Sequence, residues 1–441
     1  MAYRQVNAIE VLCWGKRVGA LALDPVRGYY AFEYYPEFKR TGIELSPLML
    51  PLAATDIAIF PNLPERTYHR LPPFIADSLP DDFGNSLIDA WMARNGIDHG
   101  SFTSLDRLAY VASRGMGALE YRPAIRIGRR AKTTAVELNE LVSAARKAVA
   151  VNLKYAKPDD VDAELAQLIE VGTSAGGARA KAVVGWDVGS ETFVSGQFSI
   201  PEGYEHWIIK FDTADTAGSD SLGQYGRIEY AYYLMALTSG VNISPSRLYE
   251  IAGRAHFMTK RFDRGENNAR YHVQTLCAMK GMDYNALRVH DYAQLFTTAI
   301  ELKLPYEAID ELFRRMVFNI ALSNNDDHTK NHAFLLKEGG SWELAPAYDI
   351  THARNSAFDA WTKAHIMGVG GVFSDITRDD VLRMCSPYPI KNPEKIIDSI
   401  LDVAGSWPEF AKQAGLSSGR TEWVGNDIAA CTKLLKRKFS K

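Results

Sequence analysis

Ser323-Asn324-Asn325-Asp326-Asp327-His328-Thr329-Lys330-Asn331 sets nine polar residues in a row where the chain changes character. Immediately upstream, 305–323 carries apolar residues at helical spacing, with Pro305 where a first helical turn accepts it. Downstream, 333–336 and 342–345 read as two short strands. The polar run is therefore a short loop between a long amphipathic helix and a strand pair, and the sequence reads outward from it in both directions.

The surrounding chain is ordinary in bulk. It has 441 residues, enough for two or three domains or lobes, with 46% hydrophobic and 23% charged residues. The formal net charge of -3 lacks the basic excess of a dedicated nucleic-acid binder. Cys13, Cys277, Cys385 and Cys431 lie far apart with no C-x-x-C pair, which argues against a disulfide framework or structural zinc and favours the cytoplasm. The first residues have no apolar signal core, and the greasiest window, 45–60, is interrupted by Pro47, Pro51 and Asp56, so no membrane span is expected.

Within the polar run, Asp326 and Asn331 form Asp-x-x-x-x-Asn, the spacing of a protein-kinase catalytic loop. There the Asp takes the acceptor hydroxyl's proton and the Asn holds magnesium. Taken alone, the pair fits a polar helix terminus equally well. Tyr348-Asp349-Ile350 changes the balance: Asp349 stands 18 residues past Asn331, just beyond the strand pair, where the kinase plan sets its second metal ligand. Upstream, Val171-Gly172-Thr173-Ser174-Ala175-Gly176-Gly177-Ala178-Arg179-Ala180-Lys181 is a Gly-rich loop opening into a strand. Its small residues suit close approach of phosphate to backbone N–H groups, although a plain turn would look similar. Lys210 closes the apolar strand 207–211 as a kinase phosphate-pairing lysine does, with Glu229 on the next helix to orient it; the bland alternatives are a snorkelling edge lysine and a surface glutamate. Asp82-Phe83-Gly84 spells a kinase motif out of order and reads as a loop.

The N-terminal 60 residues read as an antiparallel meander. Helices are expected at 86–95, 104–112 (with a capping signal at Ser104), 134–151 and 228–239. Strands are expected at 181–186, 192–198, 207–211, 246–251 and 256–262, and a mainly helical region beyond 284. Arg126, Arg129, Arg130 and Lys132 read as a solvated connector. The predicted fold class is α+β, a bilobal protein-kinase-like fold: a β-rich N-terminal module at 1–132, a mixed α/β lobe with the Gly-rich loop at 133–264, and a helical C-terminal lobe with the catalytic loop at 265–441.

These motifs together resemble the HipA family, serine/threonine kinase toxins of toxin–antitoxin pairs, over nearly the whole chain. The family's Gly-Asn-Thr-Asp-Asp-His-x-Lys-Asn corresponds to 323–331, its Pro-x-Tyr-Asp to Pro346-Ala347-Tyr348-Asp349, and its Arg-Phe-Asp-Arg to Arg261-Phe262-Asp263-Arg264. Ser323 stands where the family has Gly, and Asn325 where it has Thr. The resemblance implies an ATP- and Mg2+-dependent kinase. Asp326 would be the catalytic base with His328 beside the phosphates, and Asn331 and Asp349 would hold the metal. Lys181, Lys210, Gly176 and Gly177 would contact phosphates, and Lys260 and Phe262 would form the adenine hinge. Ser174 would be the autophosphorylation site that silences the enzyme. It also implies a HipB-like helix-turn-helix antitoxin as partner, DNA contact only through that antitoxin, and a protein substrate such as an aminoacyl-tRNA synthetase. The alternatives are a small-molecule kinase and a non-catalytic corepressor that binds an antitoxin on DNA.

Overall fold

The computed structural model describes residues 4–54, 57–80, 82–98, 101–125, 136–151, 180–212, 223–251, 253–354 and 360–436. They divide into two compact units: Met1–Gly223, Tyr249–Gln274 and Leu336–Ser341 in the first, and Gln224–Leu248, Thr275–Leu335 and Trp342–Lys441 in the second.

The first unit opens with the expected meander. β1 (Ala8–Cys13), β2 (Lys16–Leu23) and β3 (Tyr30–Tyr34) pair antiparallel in sequence, and β4 (Leu119–Arg122) adds to the free side of β1. Trp14 and Gly15, with φ of 50° and 71°, make the tight turn between β1 and β2. Beyond single-turn helices at Pro36–Lys39, Glu65–Tyr68 and Pro73–Ala76 come the longer helices α1 (Asp82–Arg94), α2 (Ser104–Val111) and α3 (Leu138–Val151). The cap of α2 is Thr103, one residue before the expected Ser104. Thr103 and Asp106 close a capping box, and Asp106 also accepts from the Val6 N–H at 2.9 Å. The reading of Asp82-Phe83-Gly84 as a loop is corrected: the triplet is the first turn of α1. Phe83, Leu87 and Ala90 share one helix face and enter the core, and that periodicity outweighs the early glycine.

The second sheet of this unit is built from β5 (Lys181–Asp187), β6 (Thr192–Ser195), β7 (Glu205–Lys210), β8 (Ser246–Ile251) and β9 (Arg254–Lys260), in the order β6-β5-β7-β9-β8. Residues 249–251 of β8 belong to this unit. One core joins the sheet to α1 and α3, with Leu87, Leu141 and Ala145 meeting Val184, Trp186, Trp207 and Met258. The aromatic residues of the sheet brace each other: Trp186 stacks on Phe193 at 5.6 Å and meets Trp207 edge-on at 5.4 Å.

The second unit is helical, as its sequence indicates: α4 (Tyr225–Thr238), α5 (Tyr292–Glu301), α6 (Tyr306–Ala321), α7 (Arg378–Cys385), α8 (Pro393–Gly405), α9 (Trp407–Gln413) and α10 (Ser418–Lys436). α6 is the central element. Leu312, Phe313, Met316, Val317 and Phe318 are all buried, and α6 packs against α5, α8 and α10. Tyr232 of α4 donates to the Leu322 carbonyl at 2.5 Å and fastens the end of α6. Four short strands decorate the bundle: β10 (His290–Asp291), β11 (Ala333–Leu336), β12 (Trp342–Leu344) and β13 (Met367–Gly368). β10 runs parallel to β13, and β11 pairs with β12. Among the described residues no helix is long and apolar enough to cross a membrane.

Candidate active site

The polar run begins where α6 stops. Ser323 has φ of 55°, the left-handed region, and this residue turns the chain out of the helix. A network of buried side chains then holds the loop. Asn324 donates to Asn319 Oδ1 at 3.0 Å, Asn319 donates to the Tyr292 hydroxyl at 2.9 Å, and Tyr292 donates to Asp327 Oδ2 at 2.8 Å. His365 Nδ1 lies 2.9 Å from the same oxygen, and the Ile366 and Met367 N–H groups donate to Asp327 Oδ1 at 2.8 and 3.2 Å. Burial, reinforced by the Asp327 charge, holds the Tyr292 phenol well above its ordinary range, so it remains a donor. Asp327 is thus the internal anchor of the loop; the motif marked it only as a neighbour of Asp326.

The anchored loop presents Asp326, His328 and Asn331, all half-buried. Burial is the largest influence on the Asp326 carboxyl and raises its pKa. His328 and the Trp361 N–H oppose the rise, and the negative charges of Asp349 and Asp327 add to it. The repulsion from Asp349 registers two carboxylates brought near one another from 23 residues apart in sequence. Asn331 Nδ2 donates to the Asp326 backbone carbonyl at 2.8 Å, which leaves its Oδ1 as the end suited to a cation. Asn331 and Asp349 line one small cavity of about 10 Å³, the room of a single water or ion. Asp349 has φ of 55°, a conformation that Asp tolerates better than most residues. Tyr348 donates to the Lys330 carbonyl at 2.5 Å and joins the two segments one residue away from each proposed ligand.

An amide oxygen and a carboxylate on one cavity are the hard donors that magnesium takes, with phosphate and water completing its shell. Among the described residues there is no cluster of three His, Cys, Asp or Glu that could hold a metal by itself. His328 Nε2 lies 3.8 Å from Asp326 Oδ1, and its ring meets those of Tyr284 and Trp361 at 5.6 and 6.1 Å. Trp361 donates from Nε1 to Asp326 Oδ1 at 2.5 Å. No spacing rule marks this residue, and sequence reasoning missed it.

Lys181, Lys210, Lys260 and Phe262 fall in the first unit, whereas Glu229 belongs to the second. Lys181 and Lys210 are direct cross-strand partners in the β5–β7 register, so they share a face of the sheet. Lys181 is 1% exposed, and Lys210 stands 5.8 Å above the Phe257 ring. Two lysines placed opposite one another repel, an arrangement that suits an anion held between them. Lys260 ends β9 and pairs with Glu205 at 2.5 Å, and Phe262 follows half-buried. Around Phe262, Asp263 is fully buried. It accepts from Arg261 at 2.9 and 2.7 Å, from Arg264 at 2.6 Å and from the Gly117 N–H at 2.7 Å. Burial works against the charge of Asp263, yet the two guanidinium groups hold its pKa below the usual carboxylate range. Glu229 is buried on α4. Ser174, Gly176, Gly177 and the basic cluster 126–132 lie outside the described residues.

The model of the HipA-like C-terminal domain matches residues 173–428, more than half of the chain, and that of the HipA N-terminal domain matches residues 9–122. The chain belongs to the HipA family. In three dimensions it is similar to HipA in the Shewanella oneidensis MR-1 toxin–antitoxin complex of HipA, HipB and operator DNA. That match has 16% identity and a TM-score of 0.67, and covers 96% of each chain. The α+β, kinase-like HipA fold expected from the sequence is therefore the fold found. The Helicobacter pylori proinflammatory kinase CtkA is matched over 54% of this chain and 89% of its own, at 13% identity and a TM-score of 0.35. No curated protein matches the chain.

Proposed function

We propose that this HipA-family protein is an ATP- and magnesium-dependent serine/threonine protein kinase, the toxin of a toxin–antitoxin pair. The observation that carries the reading is the convergence of Asp326, Asn331 and Asp349 within one unit, on and beside one ion-sized cavity. Magnesium held by Asn331 and Asp349 would neutralise charge on the nucleotide phosphates. Asp326 takes the proton of the acceptor hydroxyl as the acceptor oxygen bonds to the terminal phosphorus and the bond to ADP breaks. The raised pKa of Asp326 suits it to receive that proton. His328, close beside Asp326, supplies a donor toward phosphate oxygens. Lys181 and Lys210 are phosphate ligands in this proposal, Lys260 and Phe262 the adenine hinge, and Ser174 the site of self-modification. The partner is a HipB-like helix-turn-helix protein through which DNA is reached, as the complex of the Shewanella relative suggests. The acceptor is a cytoplasmic protein such as an aminoacyl-tRNA synthetase.

Incubation with γ-labelled ATP and magnesium tests this. Label is expected on the wild-type protein, falling by about 100-fold or more in Asp326→Ala. Equal labelling of the two proteins would remove Asp326 from the chemistry.

A further inference from the structure

On the phosphotransferase reading given above, we infer that Trp361 is a positioning residue for the catalytic base: its indole N–H pins one oxygen of Asp326 and presents the other to the acceptor hydroxyl. The geometry is asymmetric. Oδ1 receives the Trp361 Nε1–H at 2.5 Å and faces His328 Nε2 at 3.8 Å, while Oδ2 takes no hydrogen bond from the described residues. The backbone carbonyl of Asp326 is engaged separately, by Asn331 Nδ2 at 2.8 Å. The side chain stays 37% exposed.

A carboxylate beside two others, Asp327 and Asp349, gains by turning away from them unless something holds it. Indole suits that task. Its N–H is a donor only and cannot itself accept the proton that the base must take. Its ring also rests against His328 at 6.1 Å, and His328 against Tyr284 at 5.6 Å, so the donor is fixed by packing as well as by its bond. The chain direction contributes too. His365, Ile366 and Met367, just beyond Trp361, are tied to Asp327. One stretch therefore reaches both aspartates of the loop.

Two substitutions separate the N–H from the ring. Trp361→Phe keeps an aromatic ring and loses the donor. Trp361→His keeps a five-membered ring whose Nε2 sits two atoms from Cγ, as indole Nε1 does, and loses the bulk. Initial rates of label transfer from γ-labelled ATP to the full-length protein are measured at varied ATP concentration, with thermal unfolding recorded for each variant. Trp361→Phe is expected to lower kcat about 10- to 100-fold, the range for one hydrogen bond to a charged group, with the KM for ATP within about twofold. Trp361→His is expected to recover kcat to within about threefold of wild type. A Phe variant as fast as wild type overturns the inference, as does a His variant as slow as Phe; the kinase reading survives both results. Wild type that transfers no label overturns the kinase reading and this inference with it. Should the Phe variant fail to fold, the His variant decides: retained kcat supports the N–H role, and a tenfold loss refutes it.

Discussion

Ser323 takes the chain out of α6 with φ of 55° and is 1% exposed, a conformation in which a side chain other than glycine is strained by about 1–2 kcal/mol. The glycine usual in the family at this position has a direct physical reason: the helix must stop here and the loop must reverse. Ser323→Gly is expected to stabilise the protein by about 0.5–1 kcal/mol, because relief of strain exceeds the extra unfolded-state entropy of glycine. Guanidinium unfolding of the two proteins measures it, and a lower midpoint for the glycine variant would show that φ is not the limiting feature. Asp349 shares the same φ, and there Asp and Asn are the tolerant side chains after glycine. Asp349→Asn is therefore the substitution that removes charge with least disturbance to the backbone.

At the scale of elements, the Arg261–Asp263–Arg264 cluster joins the end of β9 to the turn before β4. Arg264 donates to the Gly115 and Gly117 carbonyls at 2.9 and 3.0 Å, and the Gly117 N–H donates to Asp263. Asp263→Ala leaves two buried guanidinium groups without their common counter-charge and is expected to cost about 3–5 kcal/mol in denaturant unfolding. A loss under 1 kcal/mol would show that the carbonyls alone satisfy the arginines. The Arg-Phe-Asp-Arg run was legible in the sequence, and its structural partners were not, because Gly115 and Gly117 lie nearly 150 residues away and carry no side chain to mark them. The same contrast recurs elsewhere. α6 and the strands of both sheets other than β4 follow from local periodicity, which adjacent residues encode; β4 (Leu119–Arg122) was not expected, because its place beside β1 is set by pairing more than 100 residues away. The cap at Thr103 is local too: Thr103-Ser104-Leu105-Asp106 has the three-residue spacing of a capping box, which Ser104 and Asp106 do not. Asp326, Asn331 and Asp349 were singled out by spacing. Trp361, which touches Asp326 directly, was hidden because its segment is placed by the tertiary fold.

For the molecule as a whole, acid sensitivity follows from three buried histidines. Burial is the main cause lowering His206, His272 and His332 to about 4, so each stays neutral in the folded protein where an unfolded imidazole, with pKa about 6.5, is charged. The stability this neutrality supports is complete above about pH 6.5 and is lost as pH falls toward 4. Asp263, with its pKa depressed, adds a further loss below the ordinary carboxylate range. Unfolding midpoints at pH 7.5 and pH 5.0 are expected to differ, with the lower midpoint at pH 5.0 and net proton uptake on unfolding there; equal midpoints would mean that the three rings are not neutral in the folded state.

In the function proposed above, Asn331 and Asp349 act together as a magnesium site for a nucleotide. Calorimetric titration of ATP into the full-length protein, with and without magnesium, addresses it without requiring a known acceptor. Wild type is expected to bind ATP at least about tenfold more tightly when magnesium is present, and Asn331→Ala and Asp349→Asn are each expected to lose most of that gain, consistent with ligands of one shared ion. Wild-type affinity indifferent to magnesium, or a magnesium gain that survives both substitutions, would contradict it.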